Sequence, residues 1–276
     1  MPSTGQSADV ARNARDLPDE ARNARSLPDE TRNARSLPDE ARAAPDGTTD
    51  REEPAGTAAL EWRDGGIPVS TRFDDPYFSL ANGLAETRHV FLAGNGLPGR
   101  FRPGFHIAEL GFGTGLNMLA TLVSWTAAGV PGRLRYTSFE AFPMSAPDIA
   151  RALRAFPEAE AIAGPFLDAW AAGHSRFVND TLDLTVVIGD ARQTLPRWPD
   201  RADAWYLDGF SPAKNPELWS GDLMAEVARH TAPGGSFATY TAAGHVRRAL
   251  AAAGFAVSRL PGHGTKRHMS AGVLPE

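Results

Sequence analysis

From residue 105 onward, short runs rich in β-branched and aromatic residues take turns with segments of helical period, and this alternation restricts the fold more than any other feature of the chain. FHIAELG (105–111), LRYTSFE (134–140), LDLTVVIGD (182–190), ADAWYLDG (202–209) and GSFATYT (235–241) read as strands. Helical patterns occupy 115–128, 146–156, 217–231 and 243–253, with a short helix near 191–197. Strands separated by helices pack as a mostly parallel sheet covered on both faces. FAVSRL (255–260) and HMSAGVL (268–274) follow with only a loop between them, so the last strand is expected to be antiparallel. The expectation is an α/β, Rossmann-like fold with a seven-stranded, mostly parallel sheet.

Two further regions precede this pattern. Residues 1–54 carry near copies of a ten-residue unit, ARNARDLPDE, ARNARSLPDE and TRNARSLPDE. One Leu per unit cannot bury enough surface to offset the entropy of ordering the chain, so this stretch is expected to be a disordered repeat tail, either a linker or a partner-binding segment. The tail holds 12 acids and 8 bases against 21 and 20 in the remainder, so the globular part, 55–276, is nearly neutral. Trp62, Ile67, Val69 and Phe73 around Gly65, Gly66 and Pro68 predict a short hairpin, and 77–93 a helix. Together they form an N-terminal extension to the main domain.

Composition removes several function classes. The chain has no Cys, which excludes a disulfide scaffold, a thiolate zinc site, an iron–sulfur cluster and a Cys nucleophile. The His residues lack metal-ligand spacing, so no metal is expected. No apolar run is long enough to span a membrane, and no apolar signal region opens the chain, so the expected location is cytoplasmic.

The chemistry-bearing residues sit at strand ends. Glu109-Leu110-Gly111-Phe112-Gly113-Thr114-Gly115 leaves the first strand of the alternation and opens a helix. Glycines there let the backbone turn sharply and approach a ligand, and the helix N-terminus adds free amides. A dinucleotide fingerprint would need a small residue at position 116, which is Leu. Glu140 ends the next strand, where a carboxylate in doubly wound folds accepts ribose hydroxyls. Asp190 ends the third. Each acid is either a ligand contact or a solvated strand end or helix cap.

The pattern E-x-G-x-G-x-G resembles the first motif of class I S-adenosylmethionine methyltransferases. The fourth strand runs into Asp208-Gly209-Phe210-Ser211-Pro212-Ala213-Lys214-Asn215-Pro216-Glu217-Leu218-Trp219. This segment resembles D-G-F-x-P-x-K-N-P-x-x-W of the MnmC-like methyltransferase family. Residues 62–78, Glu86-Thr87-Arg88-His89-Val90-Phe91, Leu116-Asn117 and Lys266-Arg267-His268-Met269 also resemble family segments, so the likeness covers about 60–275. It implies a class I methyltransferase fold and N-methylation of the aminomethyl group of a modified wobble uridine in the tRNA anticodon stem-loop. It implies that Glu109, Gly111, Gly113, Gly115, Asn117, Glu140 and Asp190 hold S-adenosyl-L-methionine, Asp190 through the adenine amino group. Asp208 would be catalytic, and Phe210, Lys214, Asn215, Lys266 and Arg267 would meet substrate. Bifunctional members carry an FAD-dependent oxidase after this domain; the chain stops at Glu276, so a stand-alone enzyme with no FAD, served by a separate oxidase acting upstream, is expected.

The residues agree with an exocyclic amine as acceptor. Methylation of a uridine ring carbon generally needs a Cys nucleophile, whereas an amine needs only to lose its proton. Lys214, Lys266, Arg247, Arg248 and Arg267 are candidates for phosphate contacts. Phe112, Phe210 and Trp219 are candidates for stacking a flipped base, and Trp219 is equally a core residue. Two rival readings remain: a methyltransferase for a small-molecule amine, and a catalytically silent binding module of the same fold.

Overall fold

The computed structural model describes residues 56–63, 66–78 and 83–276. The repeat tail expected over 1–54 lies outside them, as do Gly65 of the expected hairpin and residues 79–82 of the expected helix. The hairpin is present as β1 (Leu60–Arg63) and β2 (Ile67–Ser70), and a short β3 (Asp75–Pro76) extends it to a three-stranded antiparallel sheet. The following segment is less regular than its pattern predicts. It begins as α1 (Gly83–Thr87), widens into a π turn over Arg88–Leu92 and tightens into a 3₁₀ turn over Ala93–Asn95. The wide turn places Val90, Phe91 and Leu92 in the core consecutively, which an α-helix of ordinary period does not do.

The main sheet comprises β4 (His106–Leu110), β5 (Leu134–Glu140), β6 (Arg176–Val178), β7 (Leu182–Ile188), β8 (Ala202–Leu207), β9 (Thr231–Thr239), β10 (Ala256–Pro261) and β11 (His268–Val273). Their order is β10-β11-β9-β8-β4-β5-β7-β6. The five central strands are parallel, and β11 is antiparallel to both neighbours, as the loop-only connection requires. The sheet has eight strands rather than the expected seven. The additional β6 pairs antiparallel with the edge of β7. Its three residues are mostly exposed and carry no apolar period; backbone bonds and the Arg176–Asp183 contact hold it there.

Side chains alternate across β4 and so assign each helix layer its core. Ile107 faces α2 (Leu116–Ala128), α3 (Ala146–Leu153) and α4 (Pro157–Ala171), in a cluster with Met118, Leu119, Trp125, Ile149 and Phe166. Ala108 and Leu110 face the opposite layer, where α5 (Ala191–Thr194), α6 (Gly221–Arg229) and α7 (Gly244–Ala252) pack with Trp205, Leu207 and Phe237. Glu109, one step from both, is therefore a carboxyl on the α2 side of the sheet, fully buried. The strands following β4 lie on one side of it until β7, after which β8 crosses to the other. The carboxyl ends of β4 and β8 thus flank the switch point at which open α/β sheets bind ligands. Among the described residues no helix is long and apolar enough to cross a membrane.

Ile107 is fully buried at the centre of this arrangement. Ile107→Ala is expected to lower unfolding stability by about 3 kcal/mol, the cost of a buried large-to-small change. Chemical denaturation should show the midpoint falling at unchanged slope.

Candidate active site

A cavity of about 1450 Å³ opens at the carboxyl ends of β4, β5, β7 and β8. Typical small-molecule sites measure about 300–1,000 Å³, so it has room for more than one ligand group. Its floor comes from the glycine turn. Gly111 has φ +85°, and a Cβ there would stand 3.2 Å from the Gly209 Cα, so the loops after β4 and β8 meet backbone to backbone. Gly113 has φ +54°, and a Cβ would stand 3.3 Å from the Tyr77 ring. The Gly113 amide donates to Glu140 Oε2 (3.0 Å), and Phe142 N–H donates to Glu140 Oε1 (2.8 Å). Glu140 is thus oriented at the end of β5 by two amides, with a free lone pair on each oxygen for a diol. Gly115, also at positive φ, precedes α2.

Beneath the turn lies a pair of carboxyls joined by one amide. Asn117 Nδ2 donates to Glu109 Oε1 (2.9 Å) and to Asp208 Oδ2 (2.8 Å). Ser138 Oγ donates to Glu109 Oε2 (2.8 Å), and the Gly209 amide donates to Asp208 Oδ1 (2.8 Å). Burial pushes the Glu109 carboxyl well above the ordinary range, against the pull of Asn117 and Ser138. Asp208 is pushed up to about 6, first by burial and secondarily by Glu86; the Gly209 amide, Asn117 and Lys266 pull the other way. Asp208 lines the cavity, whereas Glu109 lies behind it. Asn117, expected at the cofactor, reaches the cavity wall with its amide committed to these two carboxyls.

The loop after β8 forms the front wall. The Phe210 ring stacks on Phe73 at 4.7 Å and meets Tyr77 edge-on at 5.0 Å. Trp219 is a core residue, buried with its indole N–H donated to the Phe210 carbonyl (2.9 Å). Phe112 is also core, against Phe166 and Trp170. Asn215 lines the cavity before the 3₁₀ turn Pro216–Trp219. Lys214, expected at phosphate, pairs instead with Asp74 and Asp75, and Asp75 also accepts the Ser211 amide (2.9 Å). This fastens the small sheet to the loop.

Asp190 lines the cavity but caps α5, accepting from Arg192 N (2.9 Å) and its guanidinium. Burial pushes its carboxyl up, and the bonds from Arg192 outweigh that and hold it below the ordinary range. Lys266 donates to Glu86 Oε1 (2.6 Å) and lies 4.0 Å over the Tyr240 ring, also at the cavity. Arg267 is exposed and, like Arg247 and Arg248, is not among the lining residues. Sequence reasoning missed Thr87, Tyr77, Phe142 and Tyr240 as lining residues. Thr87 stands in a segment singled out by resemblance alone, and Phe142 follows Glu140 by two residues, a usable positional signal.

Known proteins offer a comparison for this geometry. A family described as S-adenosyl-L-methionine-dependent methyltransferase matches residues 157–275. The chain is 46% identical over 236 residues, 79% of its length, to the tRNA 5-methylaminomethyl-2-thiouridine biosynthesis bifunctional protein MnmC of Aeromonas hydrophila. It is 48% identical over 228 residues to the protein of the same description from Chromobacterium violaceum. The chain is similar to MnmC proteins and to this methyltransferase family. It spans 36% and 34% of the length of those relatives. The crystal structure of MNMC2 from Aquifex aeolicus shares the fold, with a TM-score of 0.62 at 24% identity, covering 80% of this chain and 73% of that one.

The matching family is S-adenosyl-L-methionine-dependent, and this chain has parts that fit a cradle for that cofactor. The glycine turn leaves room that a Cβ would fill, and the Glu140 carboxylate is an acceptor suited to a ribose diol. Gly113→Val would put a β-branched residue at φ +54° against Tyr77. S-adenosylmethionine affinity is expected to fall by about tenfold or more, from strain of that order in the turn. Calorimetry checks this, with thermal melting as the folding control; undiminished affinity would remove the turn from the site.

Proposed function

We propose that the chain catalyses S-adenosylmethionine-dependent N-methylation of the aminomethyl group of a modified wobble uridine in tRNA. One observation carries the reading. The loop 208–219 that matches the MnmC-like signature is the loop that brings Asp208 to the cavity beside the glycine turn. The names of the relatives, tRNA 5-methylaminomethyl-2-thiouridine biosynthesis proteins, support tRNA as substrate.

In this proposal Gly111, Gly113 and Gly115 cradle the cofactor, Glu140 accepts its ribose hydroxyls and Asp190 meets its adenine. When bound, S-adenosylmethionine supplies an electrophilic methyl on a sulfonium and leaves as the thioether. The work of the protein is alignment and proton removal. A primary aminomethyl group has a Lys-like pKa of about 10 and is protonated at neutral pH. Asp208 holds the ammonium by charge and accepts its proton. The neutral nitrogen would then be free to take the methyl group as a secondary ammonium, whose additional proton passes to solvent. Phe210, Asn215 and the aromatic wall of Phe73 and Tyr77 contact the nucleoside, and Arg267 meets phosphate from the exposed rim. An FAD-dependent oxidase that removes a carboxymethyl group would supply the primary amine upstream.

A second reading, a small-molecule amine as acceptor, is consistent with the charge around the cavity, whereas the names of the relatives favour tRNA. Lys214, Lys266 and Arg192 each spend their charge on an internal acid.

Purified protein with labelled cofactor should methylate tRNA bearing the aminomethyl uridine, read by mass spectrometry of wobble nucleosides. Transfer to a free small amine and none to that tRNA would replace the first reading with the second. Asp208→Asn is expected to lower turnover by about 10²–10⁴-fold with little change in cofactor affinity. Because Asp208 is pushed up to about 6, wild-type turnover should rise as pH increases through that value and the carboxyl ionises. The Asn variant should lack that step and gain only as solvent deprotonates the amine at higher pH.

A further inference from the structure

The amide that joins Glu109 and Asp208 has a third partner, Thr87. Thr87 is buried, and its hydroxyl donates to Asn117 Oδ1 (2.8 Å). A carboxamide offers one acceptor oxygen and two donor hydrogens. Here the oxygen is held by Thr87, and the two hydrogens go to Glu109 and Asp208. All three corners of the amide are engaged in a site that Asn117 shares with little solvent. We propose that Thr87 is a positioning residue for methyl transfer: through the Asn117 amide it holds Asp208 in the orientation that faces the cavity. The proposal rests on reading Asp208 as the group that meets the amine.

Without the Thr87 hydroxyl, the Asn117 oxygen is buried and unpaired, a costly state that rotation of the amide relieves. Rotation takes a donor away from Asp208 Oδ2, leaving the Gly209 amide on Oδ1 as its one remaining bond given above. A carboxylate that loses a donor holds its proton more tightly. The other groups facing Asp208 do not change. They are Glu109 from β4, Tyr136 from β5, Glu86 from α1, Lys266 from the β10–β11 loop and Tyr240 after β9. The same α1 segment makes three other ties: Glu86 to Lys266, Arg88 to Glu158 at the start of α4, and His89 to the Pro261 carbonyl. Those ties hold the segment, so a Thr87 substitution acts on the amide rather than on the placement of α1.

Thr87→Val removes the donor at nearly constant volume, and Thr87→Ser keeps it. For Val, kcat is expected to fall about tenfold, the effect of one lost hydrogen bond to a buried polar group, while KM for S-adenosylmethionine changes by less than about twofold. The acid limb of the pH–rate profile should move to higher pH in Val and stay at the wild-type position in Ser. A readout independent of any methyl acceptor is the ¹³C titration of the Asp208 carboxyl, whose midpoint should rise in Val and return in Ser. If the wild-type protein methylates no aminomethyl tRNA yet the midpoint still moves, the functional reading fails and the positioning stands. An unchanged midpoint with an unchanged pH profile in Val overturns the positioning. If Val does not fold, the side-chain amide protons of Asn117 in the wild-type protein decide: slow exchange with solvent supports the held amide, and exchange as fast as that of an exposed Asn overturns it.

Discussion

Two carboxyls at the ends of neighbouring strands would repel each other in a buried setting, and the Asn117 amide is what lets them share it. One donor hydrogen reaches Glu109 on β4 and the other reaches Asp208 after β8. Hydrogen bonds to charged or nearly charged groups are worth about 1.5–3 kcal/mol each, enough to offset part of the burial cost that raises both acids. The bridge also fixes the start of α2 over the crevice between β4 and β8. Helix, strand ends and signature loop are therefore registered on a single side chain, and the cavity takes its shape from that registration.

A second set of contacts closes the cavity from outside the parallel sheet. Asp75 and Lys214 join the three-stranded sheet to the loop after β8, and Phe73 lays its ring on Phe210. The α1 segment reaches across to the β10–β11 loop through Glu86 and to the end of β10 through His89. Lys214, Lys266 and Arg192 are paired with local acids at the cavity, in keeping with the near-zero charge of the globular part. Electrostatic attraction of a polyanion is correspondingly modest at the cavity mouth, and aromatic surface makes up much of the wall.

The parallel sheet and the glycine turn are legible in the sequence because they depend on local rules: strand–helix alternation, and glycines at positive φ between a strand and a helix. The antiparallel final strand follows from a connection too short for a crossover. Other parts depend on tertiary context. Pro157 suits the first turn of a helix over 157–171, but Gly164 and Pro165 argue against its continuation, and Ala159, Ala163 and Phe166 bury a helical stripe that outweighs them. The edge strand β6 has no pattern of its own and borrows its conformation from β7. Gly111, Gly113, Glu140, Asp190, Asp208, Phe210 and Lys214 line one cavity. The partners they take do not follow from those positions. Lys214 turns to Asp74 and Asp75, and Asn117 turns to two acids, because pairings between residues far apart in the chain appear only once the loops are brought together.

The contact between Gly111 and Gly209 sets a tolerance for the reaction itself. No side chain lies between the turn that would cradle a methyl donor and the loop that carries Asp208; main chain touches main chain. Side chains can change rotamer to absorb a displacement, and two apposed backbones cannot. The gap between donor and acceptor is then a stiff dimension, machined by covalent geometry rather than adjusted by packing. Methyl transfer gains from such stiffness, because an in-line displacement is governed by a few tenths of an ångström along one axis.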